Sequence, residues 1–333
     1  MIPGPDLAAW LADTGEQDRS FARIDACLRK WASHPLIADL DREIMSMSAR
    51  SPEALLAAAR RFLDRGDDID LLLREMIAMS RIDPFFRPPL PPVTNDIQSG
   101  LLLYHHPDLS IALSITSIDA LAAKKMAGRG EGSINFTGYN VLMRFVDTGG
   151  ATFSFWEAPE ITDAFTAAGA GACRLTGRRR IADGEELLVD GRRESFVVDH
   201  AMRDIVYFQA VVRGGAAPVT AEYDAKTLGF IGSSSTDDAA SRIQMMASLL
   251  RAMAREDALP VLEAALADAR FHTRWHLMRE MLALDARFAL PALKRMAAGD
   301  GNPDVRMAAA DVLARFFPDE AARPDAEAMS CRA

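Results

Sequence analysis

The residues best placed by type and spacing to do chemistry are His106, Asp108 and His200. The first two stand in His105-His106-Pro107-Asp108, and the third lies far downstream. A His-x-Asp pair joined by a distant histidine is the ligand set of an iron(II) facial triad, which leaves open positions for substrate and oxygen. Arg213 would then clamp a 2-oxoglutarate carboxylate through two parallel hydrogen bonds. The competing reading is local: Pro and Asp are ordinary turn residues, and a hairpin is expected here. His272, His276 and Glu280 lie at steps of four, so a helix would place them on one face that could chelate a metal. Their stretch lacks the Glu of a zinc-protease helix, and a half-buried polar face beside Trp275 is the alternative. Arg178, Arg179 and Arg180, with Arg174, Arg192 and Arg193, gather positive charge suited to a phosphate, a carboxylate or an acidic partner strand. Asp183, Glu185, Glu186 and Glu194 could equally balance them as a solvated face. Gly169-Ala170-Gly171-Ala172 lacks the third glycine of a dinucleotide site, and no Walker lysine occurs.

The elements that must position these residues change period along the chain. Residues 1–83 read as helices: Phe21 to Trp31, Leu36 to Met47, Ala54 to Leu63, and Leu71 to Met79. Ser51-Pro52-Glu53 supplies a cap, a proline at the first helical position and an acid at the positive end of the dipole. Five prolines between Pro84 and Pro92 exclude helix and central strand, so residues 84–98 form an extended linker or a strap over a neighbouring surface. Residues 99–231 read as short strands. Leu101 to Tyr104 and Leu109 to Ile115 flank the His-Pro-Asp turn. Tyr139 to Val146 and Ala151 to Trp156 flank Asp147-Thr148-Gly149-Gly150 as a hairpin. Asp183-Gly184 and Asp190-Gly191 mark further turns, followed by strands Ser195 to Val198 and Asp204 to Val212. The expectation is an antiparallel sandwich or barrel. Gly232 to Ser235 reads as a hinge, and Thr236-Asp237-Asp238 as the cap of the next helix.

Residues 236–318 carry a repeating register. Arg242, Arg274 and Arg306 each open an apolar helical run, with Leu249, Met281 and Leu313 seven residues on. Leu259-Pro260 recurs as Leu290-Pro291. A period of about 32 residues in a helical pattern indicates stacked helix pairs, whose surfaces usually bind macromolecules. Leu73 to Met79 echoes Met278 to Leu284, so the N-terminal helices are either a diverged arm of the same stack or simply rich in good helix formers. The tail 319–333 is polar and expected to be disordered.

Two resemblances add to this. Residues Ile181 to Gly191 resemble the turn before the second motif of a cupin-like jelly roll, with His200 near the place of that family's late histidine, although the order here is Asp-Gly and the first cupin motif is absent. Asn302-Pro303-Asp304-Val305-Arg306 resembles the turn and second helix of a HEAT repeat; His272-Thr273-Arg274-Trp275 matches it without the Asp.

Composition bounds the rest. The net charge is −9, from 47 acidic and 38 basic residues, which disfavours general binding to nucleic acid or anionic membrane. Cys27, Cys173 and Cys331 form no CxxC pair, no signal peptide is evident, and no apolar run reaches the roughly 20 residues of a membrane span. A cytoplasmic, bacterial protein is expected. The reading is an α+β multidomain chain: a helical N-terminal region, an antiparallel jelly-roll-like middle and a short HEAT-like stack. The function expected is a non-catalytic accessory protein that binds a protein or peptide partner. The alternatives are an iron(II)/2-oxoglutarate-type oxygenase on the β domain and a small-molecule-sensing regulator.

Overall fold

A computed structural model describes residues 5–127 and 132–318. The tail 319–333, expected to be disordered, lies outside the described residues. Five helices come first: α1 (Pro5–Ala12), α2 (Thr14–Ser33), α3 (Pro35–Ser46), α4 (Pro52–Asp64) and α5 (Gly66–Ile82). Ser51 caps α4 as its sequence implies, its hydroxyl accepting from the Ala54 amide at 3.3 Å. The strands are β1 (Pro92–Thr94), β2 (Gln98–His106), β3 (Leu109–Thr116), β4 (Ser133–Phe136), β5 (Asn140–Asp147), β6 (Thr152–Glu157), β7 (Arg174–Arg180), β8 (Glu186–Asp190), β9 (Glu194–His200), β10 (Ile205–Val212), β11 (Val219–Asp224) and β12 (Phe230–Ser235). One further helix, α6 (Ile118–Ala127), follows β3. The C-terminal helices are α7 (Asp238–Ala252), α8 (Leu259–Ala265), α9 (Phe271–Leu284), α10 (Ala286–Gly299) and α11 (Pro303–Phe316). The molecule is therefore α+β, with helices at both ends of an antiparallel middle.

The sheet order makes that middle a jelly roll. One layer runs β1-β2-β3-β10-β5-β8, all antiparallel. The facing layer contains β7-β6-β9 and β12-β11-β4. These two sets meet where Ser195 Oγ of β9 donates to the Asn135 carbonyl of β4 at 2.6 Å. From β3 to β10 the chain changes layer at every connection except β6 to β7, which is the double Greek key.

That alternation corrects one expectation. The stretches on either side of Asp147-Thr148-Gly149-Gly150 are strands, but they do not pair as a hairpin. β5 bonds to β10 and β8, whereas β6 bonds to β7 and β9. Gly149 and Gly150 have φ of 57° and 73°, and a Cβ on Gly149 would lie 2.2 Å from the Arg203 carbonyl oxygen. The turn thus bends the chain across to the other layer through backbone conformations that only glycine adopts without strain.

Two further readings change, and a third takes one of its two alternatives. Gly232 to Ser235 is not a hinge but part of β12, paired with β11. Asp237 rather than Thr236 caps α7, accepting from the Ala239 and Ala240 amides, while the Thr236 hydroxyl donates to the Ala217 carbonyl. The proline-rich segment is a strap that seats Phe86 and Leu90 in the N-terminal core and forms edge strand β1 at its end.

The β10–β5 layer is covered on both faces, which explains its nearly continuous burial. Val141, Met143, Phe145 and Tyr207 point into the jelly roll with Phe153 and Ile181. Leu142, Ala210 and Val212 point the other way, into a core with Leu55, Phe62 and Leu36 of the N-terminal helices. Trp31 Nε1 donates to the Leu103 carbonyl at 3.1 Å, and the Tyr104 hydroxyl to Asp41 at 2.6 Å. The C-terminal helices form a separate core around Leu277, Met278, Met281 and Leu293. Their attachment to the β domain includes Asn302 Nδ2 donating to the Phe165 carbonyl at 3.0 Å and Asp304 accepting from the Ala167 amide at 2.8 Å. The two helical groups, related in sequence by the Leu73 and Met278 echo, belong to different cores.

Candidate binding site

The jelly roll places the three iron-ligand candidates at two ends. His106 closes β2, and Asp108 sits in the two-residue turn before β3. There the His106 ring nitrogen Nδ1 accepts from the Asp108 amide at 3.1 Å, and the Asp108 carboxylate binds Arg50 at 3.1 Å. His200 ends β9 in the other layer, exposed and opposite Thr152. β10 runs between the two ends: Val212 lies opposite Leu109, and Ile205 opposite Thr116. Eight residues of strand span about 25 Å at roughly 3.3 Å each. The structure does not bring His106, Asp108 and His200 together, and among the described residues no group of three or more His, Cys, Asp or Glu could hold a metal ion. Among the described residues, these three side chains do not form the donor set of an iron(II) centre. Phe145, Phe153, Phe196 and Tyr207 fill the interior where a jelly roll would house one, with Phe153 stacked on Phe196 at 5.1 Å.

The arginines are also engaged. Arg178 pairs with Asp199 at 2.7 Å, and Arg179 pairs with Glu185 while its guanidinium lies 5.2 Å from the centre of the Phe155 ring. Arg180 lies alongside Gly150 at the end of β7. Arg213 donates to Ser110 Oγ at 3.1 Å and stands over Tyr139, at the turn end of the domain and away from His200.

His276 and Glu280 share a helix face, and that face meets α7. Ser248 Oγ donates to Glu280 at 2.8 Å, Gln244 Nε2 donates to Thr273 Oγ1 at 3.0 Å, and Arg251 pairs with Glu280. Burial alone would raise the Glu280 carboxyl, but the Ser248 and Arg251 bonds outweigh it and hold it below the usual range. His276 Nε2 lies 3.0 Å from Ser248 Oγ and 3.1 Å from the Gln244 carbonyl. A carbonyl only accepts, so Nε2 carries the proton and cannot take one from Ser248. This is a polar seam between helices, not an activated nucleophile. Ser248 and Glu280, like Gln244 and His276, are equivalent positions one period apart.

With its polar side committed to α9, α7 leaves its apolar side bare. Met245 is 71% exposed, Met246 64% and Leu249 58%, with Met253 continuing the stripe. One period on, Leu277, Met278 and Met281 are each 0% exposed, in one core with Leu262 of α8, Leu293 and Met296 of α10, and Leu313 of α11. Met245, Met246 and Leu249 line a groove of about 750 Å³ bordered by Ser241, Arg242, Gln244, Ser248 and His276. Arg274 forms a two-pronged ion pair with Asp300, at 2.7 and 2.8 Å. Arg242, its equivalent, has no carboxylate partner among the described residues. The sequence marked Arg242 and Leu249 through the repeat; it gave no sign that this register would be buried in α9 and open in α7.

No family model and no curated protein matches the chain. Among solved structures it is similar to ectoine synthase from P. lautus, at 7% identity over 37% of this chain and 69% of that one, with a TM-score of 0.23. It is also similar to KdgF from Halomonas sp., at 10% identity over 37% and 88%, TM-score 0.23. A third is a sugar phosphate isomerase of the cupin superfamily from Silicibacter pomeroyi, at 9% identity over 43% and 79%, TM-score 0.23. The jelly-roll assignment rests on the strand order and not on these likenesses. Among the described residues no helix is long and apolar enough to cross a membrane.

Proposed function

We propose that this chain is a non-catalytic accessory protein that binds a protein partner through the bare face of α7. The partner inserts an amphipathic helix along Met245, Met246, Leu249 and Met253, in the manner that neighbouring helices seal Leu277, Met278 and Met281 on α9. The observation that carries the reading is this difference in burial at equivalent positions. Exposed apolar stripes rimmed by polar groups mark interaction sites, and methionines suit a groove that adapts to an incoming helix. Arg242 favours a partner helix with an acidic residue at that end. The HEAT-like resemblance belongs to this proposal as the reason such a surface would be kept on a helical stack, and the cupin-like domain serves as its folded support.

A photo-crosslinking residue at Met246 in the full chain tests the occupant. The expected adduct maps to one apolar helix face of a different protein, and the pure partner re-forms the complex. An adduct to a second copy of this chain, or no adduct, overturns the proposal.

A further inference from the structure

Beside the α7 groove, and sharing Ser241, Gln244 and His276 with it, lies a second cavity, of about 390 Å³, lined by α7, α9 and strand β12. Its volume falls within the range that small-molecule sites occupy. Ser233, Ser234, Gln244, Trp275, His276 and Arg279 are among its lining residues, and no Asp or Glu lines it. In a chain with nine more acidic than basic residues, a wall without carboxylates is a chemical bias. Arg279 is exposed and has no carboxylate partner among the described residues. The acid next to it, Glu280, is turned to the α7 seam and neutralised by Arg251. Asp237, an acid that acts on His272, is occupied in capping α7. The hydroxyls of Ser233 and Ser234 make no hydrogen bond within the described residues, and the ring nitrogen Nδ1 of His276 has none either. These groups can bind hydroxyls, Arg279 can bind an oxyanion as a fork, and the Trp275 ring offers a flat apolar wall. His272, with both ring nitrogens buried and unpartnered, forms part of the same wall and is held neutral by burial.

We propose that this cleft binds a small polyhydroxylated organic anion, with its carboxylate or phosphate on Arg279 and its hydroxyls on His276 Nδ1 and on the β12 serine whose side chain faces the cleft. The cleft adjoins the α7 groove through Ser241, Gln244 and His276, whereas Arg279, Ser233 and Ser234 line the cleft alone. Calorimetric titration of the full chain with gluconate, glucose 6-phosphate and uncharged sorbitol tests it and separates the two anion sources. At least one charged compound should bind, with sorbitol at least tenfold weaker. Arg279→Gln should weaken the charged compound by tenfold or more while leaving the melting temperature unchanged, because Arg279 is exposed and unpaired. Quenching of Trp275 fluorescence, lost in Trp275→Phe, should report the same affinity. If neither charged compound binds at millimolar concentration, if sorbitol binds equally well, or if Arg279→Gln changes nothing, the proposal fails.

Discussion

His272 illustrates how much a single side chain can reveal. Burial is the main reason its imidazole is pushed below the usual range, with help from Arg270 and Arg274 and against Asp237. A histidine whose folded pKa is depressed binds fewer protons folded than unfolded, so stability is present above the unfolded pKa and declines as pH falls below it. The melting temperature should therefore drop on acidification below about pH 6.5, the ordinary histidine value. His272→Phe should flatten that part of the profile; an unchanged slope would show that His272 is not its source. Asp300 offers a second check. Its side chain is 5% exposed and holds Arg274, and it also accepts from the Asn302 amide at 2.9 Å. Asp300→Ala should cost about 2 kcal/mol by stranding both partners, less than a fully buried pair because Arg274 is partly solvated. Chemical denaturation would measure it, and a change under about 0.5 kcal/mol would contradict the assignment.

At the scale of elements, the existence of most helices and strands was legible in the sequence, while their partners were not. Ser51-Pro52-Glu53 marked the start of α4, and the alternation in Leu109 to Ile115 marked β3, because caps and period-two patterns act locally. The turn at Gly149 looked like a hairpin because the two glycines that carry the chain across to the facing layer are the residues that would also close a tight turn. Gly149→Ala should destabilise the fold by about 2 kcal/mol or more, since the φ is strained for alanine and the Cβ meets the Arg203 carbonyl. Tolerance of that substitution would argue against the crossover. The same limit hid the fate of the His-x-Asp pair: nothing in residues 105–108 and 200 states that a whole strand, β10, separates them. Phe153→Ala in the packed interior should cost about 3–5 kcal/mol. A loss below about 1 kcal/mol, read by thermal unfolding, would mean an interior with room for a ligand.

For the whole molecule, the jelly roll is a filled support. The N-terminal helices seal the outer face of one layer, and the C-terminal helices attach at the 158–173 loops through Phe165 and Ala167. The 32-residue register was visible in Arg242, Arg274 and Arg306, and Ser248 of α7 meets Glu280, one period on, in α9. Met245, Met246 and Leu249 stand without cover along α7, a helix of about 22 Å. The most direct measurement is the affinity of the purified partner for the Met245→Glu/Leu249→Glu double variant. Burying two such side chains contributes about 3–6 kcal/mol, so Kd should rise by at least about 100-fold while the melting temperature of the free chain stays within a few degrees. An affinity equal to that of the unaltered chain would contradict docking on α7.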